Sequence, residues 1–400
     1  MMVAVSDVKM ASFSIFTDGF WYFFIPADFF IIFFIVYPPC LLNITIIKRM
    51  STLRFRCYTT PIMIRHTLSV IIPTRKRAAT LQNTLAALSL QNPKPHQVII
   101  VNNCVDKQTD SVVAAFTSSL PIQYYSELRT GPSFARNTGF RHATGTVIAF
   151  LDDDCVPAKH WVRDILATYK TNAYPDRIFQ GYCSHVFPTT NILTDMFYFR
   201  NTYNIPKNIG ARRGNTLRVI DSTLAGCCFM NRNVLDKMPY VFDTELFPFI
   251  GEERDFSVRA QLAGAVIMQH PKVAVVHYKQ AARNPLKSFQ NAFMVGRAYK
   301  IMQLKYLPYS PARQLFGAEV KSLPHEPHIM VWHHIRLFWE LYHNKSVFWK
   351  CAAFSFETVR SLFSLFGMAY TQIVFGGRFN DLKTTHSSTT RRDTLLPTSG

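Results

Sequence analysis

From Leu68 onward the sequence alternates short β-branched runs with amphipathic stretches, and this alternation restricts the possible folds more than any other feature of the chain. "LSVIIPT" (68–74) is apolar at almost every position, as a strand buried on both faces must be, and Pro73 closes it. Thr80 then precedes "LQNTLAALSLQ", in which Leu81, Leu85 and Leu88 fall on one helical face. A buried strand followed by a capped amphipathic helix is the opening unit of a parallel α/β sheet. The unit recurs: "QVIIVNN" (97–103) is a strand, "DSVVAAF" begins a helix, and "IQYYSE" (122–127) is a third strand. "GPSFARNTGFRHATG" reads as a helix entered at Ser133 and left near Gly145, and "TVIAFLD" is a fourth strand. Periodicity weakens over 185–220. Beyond it, "STLAGCCFM" (222–230) reads as a strand, "EERDFSVRAQLAG" as a helix ending at Gly264, and "KVAVVHY" (272–278) as a last strand. The expected fold is an α/β, Rossmann-like open sheet, mostly parallel and flanked by helices, spanning about 66–280.

The fourth strand delivers Asp152, Asp153 and Asp154 to its carboxyl end, the side on which open α/β sheets bind ligands. Three adjacent like charges repel, and the chain has only 25 acidic residues against 44 basic ones. In an extended chain Asp152 and Asp154 point the same way and could grip a metal, a ribose hydroxyl or both. A hard cation such as Mg2+ or Mn2+ takes oxygen ligands and is held by one or two carboxylates plus substrate phosphates. The plainer reading is a turn and helix N-cap before Pro157, because Asp favours both.

"LSVIIPTRKR", "VIIVNN", "RTGPSFARNTGFRHATGTVIAFLDDDCVP" and "GEERDFSVRAQLAG" resemble, in order and spacing, family 2 glycosyltransferases of the GT-A fold, across roughly 67–280. The resemblance implies an inverting, metal-dependent transfer of a sugar from a nucleotide-diphosphosugar donor to an acceptor hydroxyl, with Mn2+ or Mg2+ as cofactor. It implies that Pro73, Thr74 and Arg77 border the nucleotide base. The acidic residue with which the family reads that base falls on Asn103, an amide that both donates and accepts. Arg136 and Asn137 occupy the family's position beside the nucleotide. Asp152 and Asp154 are its metal and ribose-diphosphate pair, flanked by Asp153. The general base falls on Glu253, one methylene longer than usual, so the assignment is open among Glu252, Glu253 and Asp255. Arg259 is expected to support the base or the pyrophosphate. His277 matches a position where some relatives place a further metal ligand; a lone His in an apolar strand is otherwise a core residue. A nucleotidyltransferase would also want clustered aspartates, and a degenerate nucleotide-sugar-binding or membrane scaffold protein would account for Asn103 and Glu253.

The net charge of +19 calls for an anionic partner. Basic residues recur in pairs such as Lys48-Arg49, Arg212-Arg213 and Arg391-Arg392, with no zinc-finger spacing and no basic helix carrying heptads, so nucleic acid is not the expected partner. A membrane surface is. Residues 29–47, "FFIIFFIVYPPCLLNITII", are uncharged, just long enough to cross a hydrocarbon core, and followed by Lys48, Arg49, Arg54 and Arg56, which would leave the next domain on the cytoplasmic side. Pro38-Pro39 makes the segment a kinked span, a hairpin or no span at all. Near the other end, "HIMVWHHIRLFWELYHN" (328–344) and "FSFETVRSLFSLFGMAYTQIVFGG" (354–377) mix aromatics with basic residues, as interfacial helices or helices packed on the main domain do. The eight cysteines form no CxxC pair and fit a reducing compartment. The expected organisation is a hydrophobic segment over 1–62 as possible membrane anchor, a catalytic domain over 66–280, a helical region over 281–380, and a disordered tail over 381–400. The expected acceptor is a lipid-linked or cell-envelope glycan.

Overall fold

In a computed structural model, the chain is described over residues 13–17, 20–27, 30–36, 41–44, 57–60, 66–170, 174–186, 216–278, 285–306 and 347–386. It divides into two compact units, Met1–Arg65 and His66–Gly400. In the first, β1 (Phe13–Thr17), β2 (Phe20–Ala27) and β3 (Phe30–Val36) form an antiparallel sheet, and β4 (Leu41–Ile44) pairs with β5 (Cys57–Thr60). The described part of 29–47 is therefore strand, not a spanning helix. β3 pairs with β2 along one edge, and Phe, Ile and Val are strong strand formers. Among the described residues no helix is long and apolar enough to cross a membrane.

The second unit is built on one sheet, ordered β10-β14-β11-β13-β9-β6-β7-β8, with β12 (Arg218–Val219) added to β14. Its first half holds β6 (Leu68–Thr74), β7 (Gln97–Asn102), β8 (Ile122–Ser126) and β9 (Val147–Leu151), all parallel. The second half is mixed. β13 (Cys227–Asn231) runs antiparallel to β9 and to β11 (Arg177–Val186), β11 is parallel to β14 (Val266–Tyr278), and β10 (Cys155–Pro157) is antiparallel to β14.

Every residue of β6 is buried, because helices cover both faces. Val70 and Ile72 point into one core with Leu81, Leu85 and Leu88 of α1 (Ala78–Ser89), Val113 of α2 (Lys107–Phe116) and Trp161 and Ile165 of α4 (Trp161–Tyr169). Ile71, between them, points into the opposite core with Ala135 of α3 (Pro132–His142) and Phe256 and Ala260 of a later helix. The period of two in one strand thus supplies two cores. Burying each such side chain contributes about 1.5–3 kcal/mol.

Several boundaries differ from the sequence expectation; β14, expected from 272, begins at Val266. α1 begins at Ala78, and Thr80 lies inside it, donating from Oγ1 to the Arg77 carbonyl (2.9 Å) rather than capping. The α2 cap is Asp106, whose carboxylate accepts from the Gln108 amide, so that helix starts earlier than Asp110. Of "STLAGCCFM" only the end is strand. The Thr223, Leu224 and Ala225 amides donate to Ser257 Oγ, Gln180 Oε1 and Glu253 Oε1, and groups engaged by side chains cannot build a ladder. α5 (Arg232–Asp236) follows, then α6 (Glu252–Leu262), α7 (Pro285–Tyr306) and α8 (Val347–His386). The 354–377 stretch lies inside α8; 328–344 lies outside the described residues, as do the tail beyond His386 and 187–215. α8 crosses α7 at close range. A Cβ on Gly296 would run into the Ser364 carbonyl, and one on Gly367 into that of Phe293, so two glycines permit the contact.

Candidate active site

β9 ends at Leu151 and the chain turns through the three aspartates before β10. The stretch is a turn, not extended chain, so the expectation that Asp152 and Asp154 point alike is replaced by three different environments. Asp153 is buried and accepts from Thr74 Oγ1 (2.8 Å) and Arg77 Nη1 (3.1 Å). Asp154 is held between Arg77 Nη1 (3.0 Å) and His277 Nε2 (2.9 Å). Asp152, the most exposed of the three, pairs with Arg136 Nη2 at 2.9 Å. Burial pushes the Asp153 carboxyl up to about 6; Arg77 pulls it back only in part, and Asp154 adds repulsion. Thr84 of α1 fixes the turn from below, donating to the Asp153 and Cys155 carbonyls.

Lys76, two residues past β6, has φ 55°. A lysine in the left-handed region costs about 1–2 kcal/mol. The bend brings Arg77 back over the aspartates, where its single Nη1 serves two carboxylates. Arg77 is 41% exposed at the side chain. Pro73 is buried within β6, beside Val101 of β7.

Arg136 lies on the inner face of α3, almost fully buried, and bridges Asp152 (Nη2, 2.9 Å) to Glu252 (Nη1, 3.0 Å). Desolvation works against its charge, but Asp152, Glu252 and Glu253 outweigh it and hold the guanidinium above its usual range. Glu252 is also raised, to about 7, which favours its neutral form: burial dominates, Arg136 opposes it, and Glu253 adds repulsion. Asn137, expected beside the nucleotide, is instead a clip. Its amide donates to the Phe242 carbonyl (2.8 Å) and accepts from the Phe242 N–H (3.0 Å).

α6 starts at Gly251, whose φ of +95° is left-handed and where a Cβ would meet the Phe247 ring and Ala298. That entry lays Glu252, Glu253 and Asp255 along the first turn, where the helix dipole favours anions. Their roles separate by burial. Glu253 is half-buried and accepts the Ala225 N–H at 2.7 Å. Asp255 is wholly buried and accepts from Arg259 Nε (2.7 Å), Lys305 Nζ (2.7 Å) and the Tyr306 hydroxyl (2.6 Å). Burial alone would raise its pKa; Arg259 and Lys305 more than offset this and keep it below the usual range. Arg259 spends its remaining donors on the Tyr240 and Val241 carbonyls. Asp255 and Arg259 therefore tie α6 to α7 and a neighbouring loop.

Asn103 is likewise committed. Its Nδ2 donates to the Glu127 and Arg129 carbonyls (2.9 and 2.7 Å), and its Oδ1 accepts from Gly131 N (2.7 Å). A carboxylate could not make the two donations, so the amide at this position closes the 127–131 loop.

Lys305 and Gln180 escaped the sequence reading because they act across 50 and 44 residues, respectively, on Asp255 and Leu224. Two neighbours of His277 also escaped it: Cys183 and His185 alternate on β11. His277 itself pairs with Cys155 across β10 and with His185 across β11. As for a cation, the Asp154 carboxylate and His277 imidazole lie close enough to share one, and a carboxylate–imidazole donor set fits Mn2+ well and Mg2+ less well.

The sequence model described as Glycosyl transferase family 2 matches residues 69–238, the stretch that carries β6 to β9, the aspartate turn and Arg136. Residues 69–238 are thus similar to the family 2 glycosyltransferases. It is 34% identical over 105 residues to Glycosyltransferase AglE of Haloferax volcanii, covering 25% of this chain and 34% of that protein. It is 32% identical over 120 residues to Validoxylamine A glucosyltransferase of Streptomyces hygroscopicus subsp. limoneus, covering 29% and 26%. The chain thus spans about a third or less of the length of these relatives. Among solved structures, mannosyltransferase PcManGT from Pyrobaculum calidifontis in complex with GDP-Man and Mn2+ matches 81% of this chain and 84% of its own at 17% identity and a TM-score of 0.43.

Proposed function

We propose that the protein is an inverting, metal-dependent glycosyltransferase that moves a sugar from a nucleotide-diphosphosugar to an acceptor hydroxyl. One observation carries the reading: Asp152, Asp153, Asp154, Glu252 and Glu253, five carboxylates, gather around the Arg77 and Arg136 guanidinium groups, with the His277 imidazole against Asp154. Such an excess of negative charge is offset by a cation, and a departing nucleoside diphosphate requires one. Asp154 and His277 would hold Mn2+ or Mg2+, which when bound neutralises charge developing on the diphosphate.

The chain's own residues do the rest. Arg77 is exposed enough to turn from Asp153 and Asp154 onto a diphosphate oxygen. Arg136 holds Asp152 and Glu252 in place. Glu253, oriented by the Ala225 amide, takes the acceptor hydroxyl's proton. The acceptor oxygen bonds to the anomeric carbon as the bond from that carbon to the diphosphate oxygen breaks, so configuration inverts. Donor binding tests the reading apart from turnover. A nucleoside diphosphate should bind in the presence of Mn2+, at least tenfold more weakly to Asp154→Asn and with unchanged affinity to Glu253→Gln. Equal binding to wild type and Asp154→Asn would contradict it.

The acceptor is proposed to be a lipid-linked or cell-envelope glycan, reached from the cytoplasmic membrane surface. α8 supports this because it is turned inside out. Ser361, Ser364 and Thr371 are buried, whereas Leu362, Phe363, Phe366, Tyr370, Ile373 and Val374 are exposed, Ile373 at 82%. An apolar stripe on a chain of charge +19 suits an anionic bilayer surface, each nearby Lys or Arg adding about 1 kcal/mol. Flotation with anionic vesicles should carry the protein, and Phe366→Ser with Ile373→Ser should leave it behind. Equal flotation of both would remove the stripe from the account.

A further inference from the structure

Beside the carboxylate end of the site, and sharing His277 with it, lies a group of softer donors. β10, β14 and β11 are neighbours at one edge of the sheet. Their register sets His277 opposite Cys155 on one side and opposite His185 on the other. Cys183 precedes His185 by two residues and so shares its face. The donor atoms of Cys183, His185 and His277 all lie within 4.8 Å of one another. The imidazole rings of His185 and His277 stand 5.3 Å apart, tilted by 43° and not stacked. Cys183 and His277 lie under cover, with side-chain exposure of 12% for the latter.

We propose that Cys183, His185 and His277 form a binding site for a thiophilic divalent cation of the Zn2+ type. One thiolate and two imidazoles match that ion's preference, and Mg2+ and Ca2+, which take oxygen, gain little from them. With Zn–S near 2.3 Å and Zn–N near 2.0–2.1 Å, tetrahedral ligands stand about 3.5 Å apart. Small rotations about the side-chain bonds close the remaining gap, since all three residues project from paired strands. Binding converts the Cys183 thiol to a thiolate and releases one proton. Asp154, 2.9 Å from His277 Nε2, is the fourth ligand within reach. His277 cannot serve this ion and a cation on Asp154 at once. If the transfer reading above holds, Zn2+ therefore inhibits the Mn2+-supported reaction by taking His277.

The test reads metal binding, not turnover, so it succeeds or fails independently of the glycosyltransferase assignment. Chelator-stripped full-length protein, kept reduced, is titrated with Co2+. The expected result is one equivalent bound, with thiolate-to-cobalt charge-transfer absorption and tetrahedral visible bands that Zn2+ abolishes. Cys183→Ser should lose the charge-transfer band, and His185→Gln should bind at least tenfold more weakly, both with the thermal midpoint of the metal-free wild type. Cys104→Ser should match wild type. Absence of the band in wild type would overturn the proposal. So would a band that survives Cys183→Ser but vanishes in Cys155→Ser, which would assign the ion to the other triad, Asp154, Cys155 and His277.

Discussion

Replacing Asp255 by Asn separates a structural carboxylate from a catalytic one. Asp255 is fully buried and receives Arg259, Lys305 and the Tyr306 hydroxyl at 2.6–2.7 Å. Removing its charge leaves two largely buried cations short of a counter-ion. Breaking such a pair from one side costs about 3–5 kcal/mol. The lower end applies here, because Asn keeps the shape and one acceptor, and Lys305 retains Asp243 at 3.0 Å. A loss of about 3 kcal/mol corresponds to a fall in Tm of roughly 4 °C in a chain of this size. Calorimetry at pH 7.5 measures it. Assayed at 15 °C, where the variant stays folded, kcat/KM should lie within threefold of wild type, since Asp255 is bonded to Arg259, Lys305 and Tyr306, and the three aspartates to Arg77, Arg136 and His277. A Tm within 2 °C of wild type would refute the energetic reasoning. A hundredfold loss of kcat/KM in folded Asp255→Asn would return Asp255 to the list of bases.

Glu252 carries a pH signature. Its folded pKa of about 7 lies above the ordinary 4.5, so the folded state holds its proton more tightly than the unfolded state. Stability is then lost as pH rises from about 4.5 to 7, by up to about 3 kcal/mol, and the slope should be smaller in Glu252→Gln when both are unfolded by urea in EDTA. Equal slopes would show that burial of Glu252 is not what sets them. Asn103→Asp, which restores the family's acidic residue, should cost about 2–3 kcal/mol, because two donations to the 127–131 loop are lost and a charge faces two carbonyls. It should not tighten uridine nucleotide binding; a tenfold gain would mean that the loop contacts are incidental.

Strands buried on both faces were the most legible part of the fold. β6 spans the residues read as "LSVIIPT", since a continuous apolar run between turn residues admits few other structures. The 222–226 segment was not legible as a loop, because the acceptors that hold its amides, Gln180, Ser257 and Glu253, come from other elements. The aspartates announced a site, yet which carboxylate meets which arginine depended on a turn and on Lys76 in the left-handed region. Asn103 and Asn137 illustrate the limit of a motif. Both stand where the family resemblance puts nucleotide contacts, and both spend their amides on the protein's own backbone. Cys183 and His185 were within reach of a period-of-two reading of β11, but their partner His277 is pairing information that only the sheet order supplies.

Release of nucleoside diphosphate from a panel of nucleotide-sugars, with Mn2+ and with or without a membrane lipid extract, tests the central claim most directly. The account predicts release that requires both cation and acceptor, a product of inverted anomeric configuration, and a loss of at least a thousandfold in Asp154→Asn and in Glu253→Gln. Release that persists undiminished in Glu253→Gln, or a product of retained configuration, would contradict it.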